Sequence, residues 1–144
     1  MTIKTLMNEL ENIASLALPD YEIFAGTKQY FEALNKTVPD KIIVIEPPLR
    51  WPVNNRLFCE RIVDLEVYLG RKVAVNEIGA SLTTSQYIFD TVLTDVNSFL
   101  NGFSGSTKVQ VLEDVNADLY DPDLGASANN YAYIRLPLKI KISG

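Results

Sequence analysis

The chain has no histidine, and its 144 residues include one cysteine and two methionines. Without an imidazole there is no Ser-His-Asp or Cys-His arrangement, no histidine general base and no histidine-bearing zinc site. The single thiol, Cys59, excludes an internal disulfide. It falls on the apolar face of a predicted strand, where a small core residue is expected; an activated thiolate needs a cationic and partly exposed setting. Positive charge is also scarce. Thirteen Lys and Arg face eighteen Asp and Glu, a formal net charge of −5, which argues against affinity built on neutralising phosphates. No run approaches the roughly 18 apolar residues that a bilayer span requires. The opening MTIKTLMNELEN lacks the positively flanked apolar stretch of a signal peptide, so a reducing cytosol is the expected compartment of synthesis.

What the chain does have is apolar mass in regular patterns. At 47% hydrophobic, a chain of this length buries roughly 68–70% of its unfolded surface, enough for one core without staples. The expectation is a single α+β domain over residues 1–144, an antiparallel sheet with an N-terminal helix and a central helix packed on it. Ile3, Leu6, Met7, Leu10, Ile13, Leu16 and Ala17 recur at helical spacing before Pro19. An apolar patch at Tyr21, Ile23 and Phe24 precedes Tyr30, Phe31 and Leu34, and Lys41 to Glu46 reads as a strand. A long strand follows, with Leu57, Cys59, Arg61, Val63, Leu65, Val67 and Leu69 on one face, ending at Gly70.

Thr83 and Gln86 have the spacing of a capping box. From there Ile88, Phe89, Val92, Leu93, Val96, Phe99, Leu100 and Phe103 form a wide helical stripe that stops at NGFSGS. The opposite face carries Thr91, Thr94, Asn97, Ser98 and Asn101, polar but uncharged, as on a helix facing another protein or on an ordinary solvent face. Val109, Val111 and Val115 predict a third strand. The last strand alternates without a break: Ala132, Ile134, Leu136, Leu138, Ile140 and Ile142 on one face, Tyr131, Tyr133, Arg135, Lys139 and Lys141 on the other. This pattern predicts a half-buried strand, and Pro137 within it predicts a sheet edge open to a neighbour.

Two loops carry the candidate functional residues. In the Pro-rich loop at 47–56, Trp51 lies between Arg50 and Arg56, a combination of the residue types that dominate interface hot spots. The competing reading folds Trp51 back over the sheet. In the acidic loop at 113–130, Glu113, Asp114, Asp118, Asp121 and Asp123 crowd together, and no Lys or Arg occurs from Val109 to Ile134. Asp121, Asp123 and Gly125 imitate part of a calcium loop, but the twelfth position is Ala132 where an EF-hand needs Glu. A solvated DPDLG turn is the expected structure, with no metal and no cofactor.

The order of elements, with the long strand reading RLFCERIVDLEVYLGRK and the end reading LYDPDLGASANNYAYIRLPLKIKI, resembles the tail-terminator and head-to-tail joining proteins of tailed bacteriophages. That resemblance implies a non-catalytic virion protein made in the bacterial cytoplasm. Its copies assemble into a ring at the neck or tail top, beside other neck, portal or tail-tube proteins, and DNA passes through without specific binding. It also gives the loops roles: Arg50, Trp51 and Arg56 meet a neighbouring subunit, while Asp114, Asp118, Asp121 and Asp123 form an acidic lumen that repels phosphate. Two other classes fit the residues as well. A small enzyme could use the carboxylates Glu60, Asp64 and Glu66 on the polar side of the long strand. A cytosolic adaptor could take a peptide at the sheet edge near Pro137.

Overall fold

The computed structural model describes residues 1–33, 39–53, 61–73, 82–120 and 131–143. It is an α+β fold in which two helices cover one face of a mostly antiparallel sheet. Helix α1 (Ile3–Ala17) starts at a capping box that the sequence reading did not single out: the Thr2 hydroxyl accepts the Thr5 N–H, and the Thr5 hydroxyl oxygen accepts the Thr2 N–H. It buries Leu6, Leu10, Ile13 and Ala14, one stripe at the spacing of the helical repeat. Ile3 and Leu16, from the predicted stripe, are exposed instead.

Strand β1 (Glu22–Ala25) and strand β2 (Lys41–Ile45) pair in parallel, and helix α2 (Lys28–Ala33) lies in the crossover that a parallel pair requires. Strand β3 (Arg61–Lys72) pairs antiparallel with β2, and its inward residues Val63, Leu65, Val67 and Leu69 are buried as predicted. The stretch holding Leu57 and Cys59, predicted as the start of that strand, lies outside the described residues. Helix α3 (Leu82–Gly102) begins one residue ahead of Thr83, which therefore sits inside the helix and not at its cap. It buries Phe89, Val92, Val96 and Phe99. Gly102 closes it in ordinary helical geometry; its missing side chain matters because a Cβ there would lie 3.2 Å from both Ala17 and Ile13, where α1 and α3 approach.

Strand β4 (Val109–Leu112), strand β5 (Asp118–Tyr120) and strand β6 (Tyr131–Ile142) complete the sheet. Its order is β1-β2-β3-β6-β4, with β5 also on β6. The terminal strand is thus central, contrary to the predicted edge: β3 lines one side along its whole length, and β4 and β5 divide the other. Only its start departs from the half-buried pattern: Tyr131 and Tyr133 on its second face are fully buried with Phe31, Ile42 and Val44, whereas from Arg135 on the strand alternates as predicted, with Leu136, Leu138, Ile140 and Ile142 buried and Arg135, Pro137, Lys139 and Lys141 on the open face.

Pro137 is accommodated inside the sheet by the local hydrogen-bond phase. The Glu66 carbonyl accepts the Glu46 N–H from the β2 side at 3.0 Å. Both backbone polar groups of a strand residue point the same way, so Glu66 and its partner Pro137 form a non-hydrogen-bonded pair, and the proline nitrogen faces away from β3. On that side β4 ends opposite Lys139 and β5 begins opposite Arg135, so Pro137 falls in the break between them.

Candidate functional site

The face of the sheet away from α1 and α3 has two halves. Over β1, β2 and the start of β6, α2 covers an aromatic layer. The Phe31 ring lies 5.9 Å from Tyr131, Tyr131 5.4 Å from Tyr133, and Tyr133 edge-on to Tyr68 at 6.0 Å. Each hydroxyl is anchored: Tyr133 donates to the Glu32 carboxylate at 2.6 Å, Tyr131 to the Pro39 carbonyl and Tyr68 to Glu66 at 3.0 Å. The Lys28 ammonium lies 4.7 Å from the Tyr133 ring centre. Burial first, then nearby carboxylates, pushes the Tyr131 and Tyr68 phenols above the ordinary range, so both stay neutral donors.

Beyond this layer the face is open and charged. A groove of about 710 Å³ crosses β3 and β6, floored by Asp64, Glu66, Pro137 and Lys139. One wall is the arm that leaves β2, with Glu46, Pro47, Leu49 and Arg50. The other is the segment after β4, with Glu113 and Asp114. That second wall is a bulge: six positions from Leu112 to Asp118 span only four on β6, from Lys139 to Arg135. Glu113 absorbs the surplus with φ of 65°, the one positive φ outside glycine among the described residues. Lys139 holds it with an ion pair at 3.6 Å.

Arg135 is the electrostatic centre of this half. Its guanidinium donates to Glu66 on β3 and, at 2.7 Å, to Asp118 on β5, tying three strands together. The Arg135 bond, seconded by the Tyr68 hydroxyl, holds the Glu66 carboxyl below its ordinary value near 4.5. A depressed pKa stabilises the fold above the ordinary glutamate range and stops doing so as pH falls through the lowered value. Glu66→Gln is therefore expected to cost up to about 1 kcal/mol at neutral pH, a partly exposed pair, with the difference from the parent protein vanishing in acid. Urea unfolding of both proteins across pH measures this.

The predicted site residues divide as follows. Arg50 is exposed on the groove wall. Trp51 is half-buried against the main core, and the Arg61 guanidinium stacks 5.3 Å from its ring centre, so it folds back as the competing reading held. Asp114 is exposed on the bulge, while Asp118, predicted within a loop, sits on β5 in the ion pair with Arg135. Arg56, Asp121 and Asp123 lie outside the described residues, as does Glu60. Of the proposed carboxylate set, Asp64 is exposed in the groove and Glu66 is engaged by Arg135.

The uncharged face of α3 satisfies part of its own polarity: the Thr94 hydroxyl donates to the Asp90 carbonyl and the Ser98 hydroxyl to that of Thr94. Tyr21 reaches this helix from the sheet side, donating to Asp95 at 2.6 Å. Sequence reasoning missed the groove itself, whose residues come from five separate segments, Thr27 before α2 being the fifth. The one local signal was Glu46 and Leu49 flanking the proline pair.

Among the described residues no cluster of acidic or cysteine side chains is arranged to hold a metal ion, and no helix is long and apolar enough to cross a membrane. No protein-family model matches the chain, and no curated protein is significantly similar to it.

Proposed function

We propose that the chain is a structural, non-catalytic subunit of a bacteriophage virion, one that builds a ring at the neck or tail top, joins head to tail and lets DNA pass. The observation that carries this reading is the arm after β2. Leu49 is 101% exposed and Val53 90% exposed, on a segment stiffened by Pro47, Pro48 and Pro52 that keeps both away from the core. Aliphatic side chains held in water beside an arginine are an interface awaiting a partner. The α+β class is the one the phage resemblance implies, and it leaves β1 and the β4/β5 side as sheet margins among the described residues. In this reading Asp114 and the acidic segment beyond β5 face the passage and repel phosphate. Asp118 shares the Arg135 guanidinium with Glu66, so that cluster keeps a net negative charge.

The double change Leu49→Ser, Val53→Ser tests the arm. Both side chains are exposed, so monomer stability should stay within about 0.5 kcal/mol of the parent, while ring assembly followed by native mass spectrometry should be lost. An unaltered oligomer would remove the arm from the interface. Trp51→Ala should weaken assembly and stability together, because its ring also covers the core.

A further inference from the structure

We infer that the two margins of the sheet are complementary: strand β1 of one copy pairs antiparallel with strand β4 of the next, so that the sheet runs on from copy to copy around the ring. This rests on the ring reading and names the surface that closes it. Backbone phase shows what each margin offers. The Gly26 N–H donates to the Ile45 carbonyl at 3.0 Å, so Gly26, Phe24 and Glu22 turn their polar groups towards β2, while Ile23 and Ala25 turn theirs outward. On the far margin the Lys108 carbonyl accepts the Ser143 N–H at 2.9 Å. Lys108, Gln110 and Leu112 therefore face β6, and Val109 and Val111 face out. The Ser106 hydroxyl takes the Val109 N–H at 3.2 Å. Open among the described residues are the N–H groups of Ile23, Ala25 and Val111 and the carbonyls of all four outward residues.

Direction and length agree. Strand β1 runs with β2, β3 against β2, β6 against β3 and β4 against β6, so β4 runs opposite to β1. A copy carried along the sheet without being turned over thus presents β4 antiparallel to β1. Each strand has four residues, and full overlap sets Glu22 opposite Leu112 and Ala25 opposite Val109. That register makes hydrogen-bonded pairs of Ile23 with Val111 and of Ala25 with Val109, which uses every open N–H.

The side chains match on both faces. Ile23 and Val111, each half-buried at the margin of the main core, become neighbours on the helix side. On the other face Phe24 and Tyr30, stacked 6.1 Å apart with Tyr30 61% exposed, come over Gln110 and Leu112. The groove beside them has Leu49 on its wall. One contact thereby covers an exposed aromatic ring next to the arm. Strand β1 also has no lysine, proline or bulge, the devices that usually blunt a free edge. A two-fold pairing of identical edges would leave the other margin bare, whereas β1 on β4 covers both and repeats.

Disulfide trapping tests the register. Glu22 and Leu112 would form a non-hydrogen-bonded pair with Cα atoms roughly 4.5 Å apart, within the roughly 4.4–6.8 Å that a disulfide spans. In a Cys59→Ser background, the chain with both Glu22→Cys and Leu112→Cys should oxidise to a ladder of linked copies, and either substitution alone should give none. Ala25→Pro removes an N–H that bonds nothing in its own copy, so the monomer should keep its circular dichroism spectrum. The concentration needed for assembly, followed by native mass spectrometry, should rise at least roughly fivefold. Assemblies that form without the ladder, or that form at the parent's concentration with Ala25→Pro, would overturn the edge pairing and leave the ring reading standing. Phe24→Cys or Gln110→Cys linking to its own kind would assign β1 or β4 to a two-fold pair and overturn the shared sheet. A chain that stays single at every concentration would end both readings.

Discussion

Phe99→Ala is expected to destabilise the fold by about 3–5 kcal/mol, a large share of the roughly 5–15 kcal/mol that holds a domain together. Phe99 is fully buried on the core side of α3, and its ring meets Phe103 edge-on at 5.3 Å. Truncation removes the apolar contacts and leaves a cavity that neighbours on a regular sheet cannot collapse to fill. The contrast is Leu16, in the predicted stripe of α1 but 87% exposed, where truncation to alanine should stay within about 0.5 kcal/mol. Denaturant melts of the two variants check both values. A cost under about 1 kcal/mol at Phe99 would mean that α3 does not pack as described.

Gly70→Val should be nearly as damaging, by about 3 kcal/mol, through overpacking. Gly70 lies opposite Tyr133 in the β3–β6 register, and the tyrosine ring crosses it. A Cβ at Gly70 would sit 2.7 and 2.8 Å from two ring carbons of Tyr133 and 3.0 Å from Ile42. The ring cannot swing aside. It is fully buried, packed against Tyr131 and Tyr68, and anchored at its hydroxyl by Glu32. Gly105, with nothing within 4 Å of a Cβ, is the matched control and should accept alanine within about 0.5 kcal/mol. Thermal unfolding of the pair separates a packing requirement at Gly70 from a general intolerance of glycine replacement.

The elements with long, unambiguous periods were legible from residues alone. The α1 stripe apart from Ile3 and Leu16, the α3 stripe from Phe89 on, the apolar run of β2 and the inward face of β3 from Val63 to Leu69 are where the pattern put them, because each buries one face against the same core. What failed was pairing. The alternation of β6 fixes which residues share a face, but nothing in it says what covers the second face or which strands flank it. The edge inferred from Pro137 was wrong for that reason, since a break between β4 and β5 relieves the missing N–H as well as solvent does. The short β5 was invisible because three residues give no period, and it turned Asp118 from a loop charge into one half of an ion pair.

The groove was illegible for a related reason. Glu46, Asp64, Glu113 and Lys139 meet only through the register of β2, β3, β4 and β6, which no local pattern encodes. Arg50 and Trp51 were found because composition marks them, yet only the packing shows Trp51 turned inward against the core and Arg50 exposed.

The most direct test of the account images the purified protein by negative-stain electron microscopy at increasing concentration. Rings of one diameter, absent when Leu49 and Val53 are both serine, are the predicted result. A single-copy particle at every concentration, unchanged by those substitutions, would contradict the claim that this chain acts by building an assembly.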